Sequence, residues 1–132
     1  MNKLRALIVD DEPLARERLR GLLRREVSVE IVGECASGTE AIAMIKGTPL
    51  DLVFLDIVMP GKDGVTAATE LLARHPTARV VMCTSLTTRE RILACKRAGV
   101  RHYLLKPFDQ ARAEQVFRFA LDGTLALQGV AS

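Results

Sequence analysis

The chain of 132 residues has no tryptophan, one tyrosine and four phenylalanines. Its basic stretches therefore carry no interleaved aromatics, and no nucleic-acid recognition motif accompanies them. Net charge is only +3, too small an excess to argue for a polyanionic partner. Cysteine is sparse. Cys35, Cys83 and Cys95 form no CxxC pair, and their number is odd. That pattern points to reduced, structural thiols in a cytosolic protein rather than to a redox pair. No apolar run approaches the ~20 residues that a membrane span needs. Lys3, Arg5 and Asp10 interrupt the opening too early for a secretory leader. Ser37-Gly38 stands without a GxGxxG or GxxxxGK[ST] pattern, so it is no phosphate loop. His75 and His102 lack metal-ligand spacing and are expected at the surface.

What remains is a chain that is 48% hydrophobic and long enough for one domain. Strand-like and helix-like segments alternate from end to end. Arg5–Val9 is a short apolar run stopped by Asp10-Asp11. Residues 13–26 follow a helical period, with Leu14, Leu19, Leu22 and Leu23 on one side and Pro13 in a first helical position. Val29–Gly33 reads as a second strand, and a helix through Ile42 and Ile45 follows Ser37-Gly38. Leu52–Leu55, Arg79–Cys83 and His102–Leu105 read as further strands. Helices are expected over Gly64–His75, over Thr87–Ala98 with a stop at Gly99, and from about Asp109 through Leu121. Such strict βα alternation predicts an α/β fold: a doubly wound parallel sheet with helices on both faces. The near-continuous apolar strands agree, because both faces of a parallel sheet are covered. A domain over residues 1–122 and a tail over 123–132 are expected.

Ligands of open α/β sheets bind outside the carboxyl ends of the strands. The first strand ends in Asp10-Asp11, the third in Asp56, the fourth in Thr84-Ser85 and the fifth in Lys106. One edge thus collects carboxylates, hydroxyls and an ammonium from segments far apart in sequence. Carboxylates brought together repel unless positive charge joins them. With oxygen donors alone, the fitting cation is hard, Mg²⁺ or Mn²⁺. The same groups suit phosphoryl transfer to a carboxylate.

Taken in order, IVDDE at 8–12, LDIVMPGKDG at 55–64, CTS at 83–85 and AGVRHYLLKPF at 98–108 resemble the receiver domain of bacterial two-component response regulators. The resemblance runs from Leu4 to about Leu121. It implies a flavodoxin-like (βα)₅ sandwich with strand order 2-1-3-4-5. It implies Asp56 as acceptor of a phosphoryl group from a histidine kinase or histidine phosphotransfer protein. Mg²⁺ would be held by Asp10, Asp11, Asp56 and the backbone carbonyl of Val58. Thr84 and Tyr103 would be switch residues, Lys106 the phosphate-contacting lysine, and Pro107 the residue after a cis peptide. The last two helices and the fifth strand would meet a downstream effector or a second copy, with Arg89, Arg91, Arg97 and Arg118 on those elements. The domain itself would bind no nucleic acid and no membrane.

Two positions depart from common receivers. Val58 and Leu86 are apolar, two places past Asp56 and Thr84, where many receivers carry polar groups. Slow self-dephosphorylation is the expectation, since neither side chain can align an attacking water. The arginine stripe Arg16, Arg20, Arg24 is either a solvated face or a docking surface for the phosphodonor. The opening ALIVDDEPLARERL resembles receivers joined to LytTR-type DNA-binding domains, so a stand-alone receiver and an excised one are both consistent with the sequence. Readings from other classes are a small phosphatase that forms an aspartyl phosphate and a passive dimerisation module. Val58 stands where the phosphatase would need a second Asp.

Overall fold

The computed structural model describes residues 3–57, 64–85 and 88–122, with the backbone alone at 122. The elements alternate as β1 (Leu4–Val9), α1 (Pro13–Leu23), β2 (Val29–Cys35), α2 (Gly38–Ile45), β3 (Leu52–Leu55), α3 (Gly64–Arg74), β4 (Arg79–Thr84), α4 (Arg89–Ala98), β5 (His102–Leu105) and α5 (Gln110–Asp122). All strand pairs are parallel, and the sheet order is β2-β1-β3-β4-β5. This is the doubly wound arrangement that the βα alternation predicts.

Strand periodicity divides the core in two. Leu7, Val9, Val53, Leu55, Val80 and Met82 face one layer, packed with Ala41, Ile45, Ala68, Leu71 and Cys95 of α2, α3 and α4. Ala6, Ile8, Leu52, Phe54, Val81 and Leu104 face the other, packed with Leu19, Leu23, Ala113 and Phe117 of α1 and α5. Phe54 and Phe117 meet edge to face, centroids 5.4 Å apart. With apolar residues pointing both ways, β3 and β4 are covered on both faces, which is why they read as continuous apolar runs. At the edge strand, the β1–β2 register skips Val32 between Ile31 and Gly33, a local bulge.

Helix ends follow local chemistry. Pro13 opens α1. Ser37 caps α2 by accepting from the Glu40 N–H, and Thr88 caps α4 by accepting from the Arg91 N–H. Gly99 ends α4 at φ 103°, a conformation glycine adopts without a Cβ clash.

Three sequence expectations need correction. Leu14 is 78% exposed and does not share the inward side of Leu19 and Leu23; the step from Leu14 to Leu19 is not a whole number of helical turns. The α1 helix stops at Leu23 and not at residue 26, because the Arg25 and Glu26 N–H groups turn back to the nearer carbonyls of Leu22 and Leu23. His102 is buried at 3% exposure and is not a surface residue. It lies two places before Leu104 on β5 and so points into the same α1–α5 layer.

Candidate functional site

Because the strands run parallel, their carboxyl ends share one edge, and the backbone ladder continues one residue past them. The Asp10 N–H donates to the Cys35 carbonyl (3.0 Å), the Asp56 N–H to the Val9 carbonyl (3.0 Å) and the Lys106 N–H to the Thr84 carbonyl (2.9 Å). Each site residue is thus fixed at its main chain by the neighbouring strand. On leaving β3, the chain turns at Ile57, whose carbonyl accepts from the Gly64 N–H at 2.7 Å. A Cβ on Gly64 would lie 2.2 Å from the Asp56 carbonyl oxygen and 2.5 Å from the Ile57 Cα. Only glycine lets α3 begin so close behind Asp56.

Asp10, Asp11 and Asp56 each offer a carboxylate oxygen, and these oxygens all lie within 4.8 Å of one another. Asp10 and Asp56 are buried and Asp11 is exposed, so the cluster opens to solvent on one side. Lys106 Nζ donates to Asp10 Oδ2 at 2.7 Å, to Glu12 Oε1 at 2.9 Å and to Asp56 Oδ2 at 3.2 Å. Burial opposes its charge, but the hydrogen bonds to Asp10 and Glu12 and the nearby carboxylate charges outweigh that and hold the ammonium above its ordinary range. Asp10 is pushed the other way. Burial raises its carboxyl above the usual carboxylate range, against the hydrogen bonds from Lys106 and the Glu12 N–H. So the cluster carries more negative charge than its ammonium offsets, and its donors are all oxygens. That donor set fits a hard divalent cation such as Mg²⁺.

Thr84 ends β4, which lies between β3 and β5 in the sheet, and it is 1% exposed. Tyr103 is half-buried against the α2–α4 layer, and its hydroxyl donates to the Val100 carbonyl at 3.2 Å. The Lys106–Pro107 peptide bond is cis. Val58 and Leu86 lie outside the described residues.

This chain matches the response regulator receiver domain over residues 6–118. The chain belongs to that family. Among relatives of this receiver is the chemotaxis protein CheY of Halobacterium salinarum, 39% identical over 104 residues, or 79% of this chain and 85% of that protein. Another is the protein-glutamate methylesterase/protein-glutamine glutaminase of Alkalilimnicola ehrlichii, 38% identical over 96% of this chain but only 33% of that protein. The receiver also superposes on a chain from the CheX–CheY–BeF₃–Mg²⁺ complex of Borrelia burgdorferi with a TM-score of 0.84. That pair is 29% identical and the match covers 91% of this chain and 90% of the other.

Sequence reasoning missed Glu12 as a partner of Lys106. The signal was available in IVDDE, because Glu12 follows directly on the acidic pair and its N–H donates back to Asp10 Oδ1 at 2.9 Å. The arginine stripe is partly engaged. Arg20 Nη1 meets Glu34 Oε2 at 2.5 Å and Arg16 Nε meets Glu34 Oε1 at 3.5 Å, while Arg16 Nη1 donates to the Asp10 carbonyl at 2.6 Å. Two of the three arginines therefore brace β2, and one of them also the site, instead of forming a free face. All three cysteines are buried, and none is in a disulfide. Burial pushes the Cys35 thiol up to about 11, so it stays protonated and unreactive at neutral pH. Among the described residues, no helix is long and apolar enough to cross a membrane.

Proposed function

We propose that this receiver is a phosphorylation-dependent switch with Asp56 as its acceptor. The observation that carries this reading is Lys106 Nζ, 3.2 Å from Asp56 Oδ2, inside a cluster of carboxylates at the open edge of the sheet. The donor is the phosphohistidine of a histidine kinase or histidine phosphotransfer protein. An Asp56 carboxylate oxygen forms a bond to phosphorus as the P–N bond breaks. The electron pair of that bond leaves with the imidazole, and the product is an acyl phosphate on Asp56. Lys106, already beside Asp56, offsets negative charge on the incoming phosphoryl oxygens. Thr84 donates its hydroxyl to a phosphoryl oxygen once the group has arrived. Bound Mg²⁺ or Mn²⁺, held by Asp10, Asp11, Asp56 and the Val58 carbonyl, would neutralise further charge on those oxygens. The Mg²⁺ and BeF₃ named for the Borrelia complex support that assignment.

Phosphorylation then shifts the population between two conformations. Tyr103 gives up the Val100 carbonyl and turns inward, and the surface made by α4, β5 and α5 changes. A downstream effector, or a second copy through the same elements, reads that surface. The protein acts in the cytoplasm, binds no nucleic acid through this domain, and turns over nothing but its own phosphoryl group. Residues 1–122 form the receiver and 123–132 a tail. The test is incubation with Mg²⁺ and beryllofluoride or acetyl phosphate, with Asp56→Asn as control. A stoichiometric adduct that Asp56→Asn abolishes supports the switch. Sustained release of phosphate would mark a phosphatase instead, and no adduct a passive module.

A further inference from the structure

Two contacts tie α1 to the short segment that carries Lys106. Arg18, midway along α1, donates from its guanidinium to the backbone carbonyl of Phe108. The same guanidinium lies 5.1 Å from the centroid of the Phe108 ring. Phe108 is itself 6% exposed and belongs to the layer that holds Leu19, Ala113 and Phe117. At the near end of the segment, Glu12, immediately before α1, accepts from Lys106 Nζ at 2.9 Å. The helix and the residue that precedes it therefore grip the segment at both ends, once by the side chain of Lys106 and once by the main chain two residues later.

The grip matters because of what lysine is. Its ammonium is a point charge on a flexible stem, with no fork to fix its direction. Where Nζ sits depends on where the main chain holds the stem. The Lys106 N–H bond to the Thr84 carbonyl fixes one point of that chain. A second point comes from Arg18, through a charge-assisted hydrogen bond and a cation–π contact on the same residue. Arg18 acts on the main chain and the ring of Phe108, so its influence on the chemistry passes through the segment.

We propose that Arg18 is a positioning residue for Lys106: it pins Phe108 to α1 and so keeps Nζ directed at Asp56. The proposal rests on the phospho-acceptor reading above. The test compares wild type, Arg18→Ala, Lys106→Ala and the double variant. The readouts are the maximal rate of Asp56 phosphorylation by acetyl phosphate, the Mg²⁺ concentration for half-maximal rate, and the unfolding midpoint. Arg18→Ala should slow phosphorylation about fivefold, the net scale of one ordinary hydrogen bond, with the Mg²⁺ dependence unchanged. In the Lys106→Ala background the same substitution should change nothing, because its target is gone. Arg18→Gln, which keeps part of the stem and loses the charge, serves where Arg18→Ala is poorly folded and should slow the rate in the same direction. A rate within about twofold of wild type for the folded variant overturns the proposal, as does an equal loss in the Lys106→Ala background. If wild type itself takes no phosphoryl group on Asp56, the underlying reading fails; if wild type is labelled and the cycle shows no coupling, only the role of Arg18 fails.

Discussion

Replacing Lys106 by methionine removes an ammonium that three carboxylates share at 2.7, 2.9 and 3.2 Å. Methionine keeps most of the stem and deletes the charge. Of the partners, Asp10 is 1% and Asp56 6% exposed, whereas the Glu12 side chain is 64% exposed and rehydrates easily. Breaking a buried ion pair from one side costs about 3–5 kcal/mol. Lys106 retains some solvent and one partner is exposed, so about 2–3 kcal/mol is the expected loss near neutral pH without divalent cation. The loss should depend on pH in a defined direction. Burial already holds the Asp10 carboxyl above its ordinary range, and the hydrogen bond from Lys106 opposes that. Without Lys106 it rises further, so the folded variant binds a proton more readily than its unfolded chain. Its stability deficit must then be greatest near neutral pH and shrink as pH falls toward the raised value. Urea unfolding of both proteins in EDTA, at about pH 7 and about pH 5, measures this directly. A deficit under about 0.5 kcal/mol at neutral pH would refute the reasoning, as would one that does not shrink on acidification.

Gly64→Ala should cost about 2 kcal/mol and weaken beryllofluoride binding, because the new Cβ meets the backbone of Asp56 and Ile57 and neither can yield; unfolding and adduct formation on one sample check both. His102 is held neutral by burial, with the Arg79 and Arg101 charges acting in the same direction, and its Nδ1 has no hydrogen-bond partner among the described residues. Its folded value lies below the ordinary 6.5, so the stability it contributes is lost as pH falls below that value. His102→Leu should flatten the stability profile between about pH 7 and pH 5 by up to about 1 kcal/mol, and an unchanged slope would count against the assignment. The three buried thiols should react with a thiol reagent only as fast as the protein opens, so labelling without denaturant should be slow at Cys35, Cys83 and Cys95 alike.

The fold was legible because its signals are local and repeated. Each apolar run ends in a polar residue or a glycine, and each helix carries an apolar stripe that returns at the helical period. Asp10, Asp11, Asp56, Thr84 and Lys106 could be placed at one edge because parallel strands put all their carboxyl ends on the same side. What escaped depended on direction and distance. His102 was misplaced because its type was weighed and its strand position was not; the step to Leu104 places it inside. Arg79 shows the same limit. It opens a strand, yet its guanidinium reaches the Ala120 and Leu121 carbonyls at 2.6 and 2.8 Å and caps the end of α5. Nothing near Arg79 in sequence announces a partner so far along the chain. The Arg18–Phe108 contact escaped for the same reason, since it joins α1 to the loop after β5.

Which residue takes the phosphoryl group decides whether this receiver is the proposed switch. After incubation with acetyl phosphate and Mg²⁺, borohydride reduction converts an aspartyl phosphate to homoserine, and peptide mapping reads the position. Homoserine at position 56 alone is the predicted result. Conversion at Asp10 or Asp11, a stable phosphate on Thr84 or Ser85, or no modification would contradict it.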